Sequence, residues 1–140
     1  MNDILKLARI QIVLIALFVF FKFIRRSVLE SHPSEWIKIT LLSLPNLFEA
    51  IIGVLILTSI GIYLNLRVLR KKWRINRVLL YLIVPILGGI FVITQELKIH
   101  DLGGNNIFDK NDVVFSIMGL IIGVLIVILI KPKIDPMDEK

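Results

Sequence analysis

The chain has 140 residues, 56% of them hydrophobic, and a mean hydropathy of +0.85, which excludes an ordinary soluble domain, whose apolar share is usually below half. A net charge of +6 would suit nucleic acid, but the Lys and Arg residues gather at the ends of apolar runs, where they act as topology signals, so no nucleic-acid partner is expected. Cysteine is absent, which removes disulfides and thiolate chemistry.

Four apolar runs, 5–24, 41–66, 78–94 and 113–130, each come near the roughly 20 helical residues that cross a hydrocarbon core. Backbone groups in lipid must be satisfied within a segment, so the runs predict helices. A β-barrel would require alternation, which they lack. The expected fold is therefore all-α: one polytopic membrane domain, a bundle of four transmembrane helices with a short charged tail over 131–140.

Lys6 and Arg9 flank the start of the first run, as in a secretory signal. The following FKFIRRSVLESHPSEW is bulky and charged, with nothing like A-x-A, so the run reads as an uncleaved first helix. The second run carries Glu49 in LPNLFEAIIG, with Asn46 three residues earlier on the same face and Pro45 fitting a first turn. An acid at the centre of a membrane helix costs about 2.5–3.5 kcal/mol on insertion scales, so Glu49 requires a partner such as Arg25, Arg26 or Gln95, or a water-filled pocket.

The next loop, RVLRKKWRINR, holds Arg67, Arg70, Lys71, Lys72, Arg74 and Arg77 and no acid. The positive-inside rule places it in the cytoplasm, with Trp73 at the interface and the basic side chains snorkelling to anionic headgroups. Both termini then lie in the cytoplasm too, and 11 of the 17 basic residues fall inside. In the third run, Pro85, Gly88 and Gly89 are expected to interrupt the helix, with Gly88 and Gly89 serving close helix packing. Gly119 and Gly123 form a small-residue stripe for close packing on the fourth.

Because consecutive helices alternate direction, the start of helix two, the end of helix three and the start of helix four share one side. Asn46, Glu49, Thr94, Gln95, Glu96, His100, Asp101, Asn105, Asp109, Asp112 and Ser116 all fall there, with Arg25 and Arg26 from the end of helix one. Asp109 and Asp112 also suit a helix start, where they complement the macrodipole. The turn at Gly103 and Gly104 matches no EF-hand loop, and His100 has no second His at helical spacing, so neither a metal nor a cofactor is expected. Ser116, His100 and Asp112 are the residue types of a nucleophilic triad, but scattered residues in a polar loop supply these by chance.

The run FDKNDVVFSIMGLIIG, preceded by TQEL, resembles the carboxy-terminal pattern of the VanZ-like family of small bacterial membrane proteins. Asp109 and Asp112 match the family's two acids, Ser116 stands where Asn is frequent, Gly119 and Gly123 match its glycines, and Glu96 its glutamate. Asn106 stands where the family usually has Arg, Gln95 precedes Glu96 instead of following it, and helix two lacks the usual Lys-x-x-His. The resemblance implies a multi-pass cell-envelope protein of the bacterial plasma membrane, in a family named after a glycopeptide-antibiotic resistance determinant.

The leading functional expectation is a non-enzymatic bundle whose pocket engages membrane lipid, by its headgroup, or a cationic ligand near the outer leaflet. The ligand-binding set would be Asn46, Glu49, Gln95, Glu96, Asp109, Asp112 and Ser116, with Arg25 and Arg26 holding a phosphate. Two alternatives stand beside it: a proton- or cation-coupled transporter subunit, which needs a homo-oligomer to make a path, and a structural or accessory bundle with its acids satisfied internally. A lipid hydrolase or transferase lacks a convincing nucleophile with its base.

Overall fold

The computed structural model describes residues 2–96 and 110–132. Every regular element among them is helical: α1 (Asn2–Glu30), α2 (Glu35–Tyr63), α3 (Arg77–Glu96) and α4 (Lys110–Ile130), with a π turn at Leu64–Val68 and a 3-10 turn at Lys71–Trp73 between α2 and α3. The described residues thus form an all-helical bundle of four helices. Three stretches, Ile4–Glu30, Glu35–Val68 and Lys110–Ile130, are long and apolar enough to cross a membrane, while the apolar part of α3, Val78–Phe91, is shorter.

At one end the helices overrun the apolar runs. α1 continues through Arg25 and Arg26 to Glu30, and α2 starts at Glu35 rather than at 41. The extra turns contain no helix breaker. They carry side-chain pairs at helical spacing, Arg26 to Glu30 at 3.0 Å and Lys38 to Glu35 at 3.1 Å. What stops α1 is local: the Ser31 hydroxyl donates to the Val28 carbonyl at 2.7 Å, His32 turns into the left-handed region at φ 54°, and Pro33 follows. Glu35 then opens α2 with its charge on the positive end of the helix dipole.

This early start changes the role of Pro45, which lies inside α2 and not in a first turn. It cannot donate to the Leu41 carbonyl, so α2 loses one rung where its interfacial turns meet its apolar body. In α3 the structure likewise differs from expectation, because the helix runs unbroken through Pro85, Gly88 and Gly89. Gly88 lies close against α4, since a Cβ there would come within 2.8 Å of Leu120 Cδ2, whereas one on Gly89 would stand at an ordinary 3.8 Å from Leu120 Cδ1.

α2 is the centre of the bundle and packs against each of the other three helices, while α4 packs against α2 and α3. Gly119 of α4 lies against the Leu47 carbonyl and Ala50, and Gly123 against Val54, so α2 and α4 run parallel with backbones in close approach. Gly61 meets Leu80 and Gly88 meets Leu120, which sets α3 antiparallel to both. α1 is also antiparallel to α2, because Gln11 Nε2 donates to Ser59 Oγ at 3.3 Å near one end while Phe21 stacks on Phe48 near the other, ring centroids 5.8 Å apart.

The core comprises Leu7, Ile51, Val54, Leu55, Ile62, Leu80, Val84 and Val127, half of it from α2. Outside this seam the surface stays apolar, with Ile12, Phe20 and Phe23 on α1, Leu82 and Ile86 on α3, and Ile121, Leu125 and Leu129 on α4 all exposed. Such continuous apolar cover would be untenable in water and is what a bilayer solvates. Glu35–Val68 runs 34 residues, about 51 Å against about 30 Å of hydrocarbon. Centring that span on the bilayer places Glu49 roughly 10 Å inside the nearer edge.

Candidate functional site

On α2, Asn46, Glu49, Gly53 and Leu57 recur at helical spacing on one side of the helix. They form one wall of a cavity of about 90 Å³, closed by Gly88 and Phe91 of α3 and by Ser116 and Leu120 of α4. That volume suits a small polar head or several waters. The space exists because Gly53 has no side chain and no neighbour within 4 Å of where a Cβ would stand. Below it, Gly88 lets α3 close on Leu120 and seal the floor.

Three polar side chains break an otherwise apolar lining. Ser116 is buried in the α2–α4 seam at 3% exposure, Asn46 is half-buried, and Glu49 is exposed at the lip. Glu49 makes no hydrogen bond or ion pair with another described residue. The cation whose field reaches it is Lys22 of α1. The stacked Phe21 and Phe48 rings produce that proximity, since Lys22 and Glu49 are the next residues along each helix.

The expected arginine partners lie elsewhere. Arg26 is bound to Glu30 at 3.0 Å, and Arg25 with Lys22, Arg26 and Leu29 borders a groove along α1. Asp112 stands in the first turn of α4 and does not line the cavity, and its Oδ1 is buried with no hydrogen-bond partner among the described residues. On α2, Ser43 Oγ is in the same condition at 0% exposure. The register set by Gly119 on Leu47 and Gly123 on Val54 puts Ser43 and Asp112 at about the same level. Gln95 and Glu96 belong to the last turn of α3, but their side chains lie outside the described residues, as do Asp109, His100, Asp101 and Asn105.

The structure therefore brings together Asn46, Glu49 and Ser116 of the expected set and separates Arg25, Arg26 and Asp112 from them. Sequence reasoning missed Lys22, Gly53 and Phe91. Gly53 had a usable signal, one turn beyond Glu49 on the same face. The Lys22 neighbourhood had none, because it follows from a contact between two aromatic rings on different helices. Among the described residues no three His, Cys, Asp or Glu side chains gather to hold a metal.

Comparison with family models, with curated proteins and with solved structures yields no match.

Proposed function

We propose that this chain is a non-enzymatic, VanZ-like membrane protein whose α2–α3–α4 cavity takes the head region of an aminophospholipid. Glu49 receives the ammonium group, and Lys22 on the flank of α1 holds the phosphate. The observation that supports this reading is a carboxylate with no hydrogen-bonded partner among the described residues, at the lip of a largely apolar cavity inside an apolar span. An isolated acid there costs about 2.5–3.5 kcal/mol, which a bound ammonium would offset by direct contact where Lys22 acts only through its field. The orientation proposed with it, polar end outward and both termini in the cytoplasm, rests on the basic residues concentrated at the opposite end.

The test is lipid retention by the purified protein, read by native mass spectrometry against phosphatidylethanolamine and phosphatidylglycerol. Glu49→Gln is expected to lower phosphatidylethanolamine retention about tenfold, the loss of one charge-assisted contact, and to leave phosphatidylglycerol retention unchanged. Unchanged phosphatidylethanolamine retention in a folded Glu49→Gln protein would reject the proposal.

A further inference from the structure

At the other end of the bundle, the segment between α2 and α3 is held in one shape. Asn65 is fully buried, and its side chain pairs with both backbone groups of Ile75: Nδ2 donates to the Ile75 carbonyl at 2.6 Å, and Oδ1 accepts from the Ile75 N–H at 2.8 Å. Between these anchors the Leu69 N–H closes the π turn on the Leu64 carbonyl at 2.8 Å, and the Trp73 N–H bonds the Arg70 carbonyl at 2.8 Å. Asn76 Oδ1 then accepts from the Leu79 N–H at 2.7 Å and starts α3. A π turn adds a residue to the helix and turns its side chains out of α register, a device frequent at functional sites.

The outward side of this fixed loop is cationic and apolar together. Arg67, Arg70 and Lys72 are exposed, Trp73 is 67% exposed, Val68 is 59% exposed, and no acid occurs anywhere from 64 to 77. Lys72 Nζ sits 5.9 Å from the Trp73 ring centroid, a cation–π contact that holds the ammonium beside the indole. A flexible basic loop would need none of the Asn65 pairing to attract counter-charge.

We infer that the loop closed by Asn65 is a preformed binding site for the phosphate headgroup of an anionic lipid, with Arg67, Arg70 and Lys72 on the phosphate and Val68 and Trp73 in the adjoining apolar layer. The exposed indole and valine select a lipid over RNA or an acidic peptide, because they need an apolar partner beside the phosphate. This site lies beyond the C-terminal end of α2, about 24 Å along the helix from Glu49, and stands independently of the cavity.

The protein has two tryptophans, so Trp36→Phe leaves Trp73 as a single reporter, read in vesicles containing brominated phosphatidylglycerol or brominated phosphatidylcholine at matched mole fractions. Phosphatidylglycerol is expected to half-quench Trp73 at a mole fraction about fivefold lower, the effect of roughly one fully engaged basic side chain at an anionic surface. In this background Arg70→Gln with Lys72→Gln should bring the two lipids to parity. Asn65→Ala should do most of the same with every charge retained, because the loop loses its anchors. If circular dichroism shows that Asn65→Ala is unfolded, Asn76→Ala, which frees the other end of the loop at an exposed position, decides the point. Inorganic phosphate should leave the preference as it is in chloride of equal ionic strength. Equal quenching by both lipids, full preference in the folded loop-release variant, or displacement by inorganic phosphate would each overturn the inference.

Discussion

Gly119 of α4 lies directly against the α2 backbone, and an alanine there tests the whole arrangement. A Cβ at Gly119 would overlap the Leu47 carbonyl oxygen and stand 2.8 Å from Ala50 Cβ. Carbon atoms pack at about 3.5–4.0 Å, so the parallel helices would have to part by roughly 1 Å. The Leu47 carbonyl is backbone and cannot swing aside as a side chain can. Overpacking of this kind costs about 1–3 kcal/mol, from which about 1 kcal/mol is recovered by the better helix propensity of alanine, leaving a net loss of up to about 2 kcal/mol. Gly53 is the internal control: a Cβ there meets nothing within 4 Å, so Gly53→Ala should hold or gain up to about 1 kcal/mol. Unfolding in mixed micelles of rising dodecyl sulfate fraction, followed by far-ultraviolet circular dichroism, measures both. A Gly119→Ala protein as stable as Gly53→Ala would show that α2 and α4 do not meet as described.

Three further outcomes follow from named positions. His32 terminates α1 at φ 54°, a conformation that costs an L side chain about 1–2 kcal/mol, so His32→Gly should raise stability by about 1 kcal/mol in the same titration. Ser43 buries a hydroxyl without a partner, and Ser43→Ala should raise stability by about 1 kcal/mol; a loss instead would mean that the hydroxyl is bonded in the membrane. For orientation, Ser34 makes no side-chain cap and Lys72 is exposed beyond the opposite end of α2, so Ser34→Cys and Lys72→Cys are well-tolerated labels in a chain without cysteine. With both termini in the cytoplasm, an impermeant maleimide reaches Ser34→Cys in intact cells and Lys72→Cys only after permeabilisation. The reverse pattern would invert the molecule.

The sequence by itself determined that the chain is helical, that its helices are long and apolar, and that 11 of its 17 basic residues fall on one side of them. Those properties depend on local composition: apolar length sets the helices, and basic clusters mark their ends. Even here the boundaries moved, because α1 through Glu30 and α2 from Glu35 continue past the apolar runs on polar residues that suit a helix. Only the tertiary structure decided which faces meet. In water an amphipathic stripe announces the buried side of a helix, but α1 and α4 are apolar all round, so periodicity carries no such signal. Packing selects instead by shape, through Gly119 and Gly123 on α2 and through Phe21 on Phe48. Those contacts bring the Glu49 charge within the field of Lys22, open the cavity at Gly53, and leave Arg26 with Glu30. The same limit hid Asn65, an ordinary polar residue at a helix end until the fold returns Ile75 to its side.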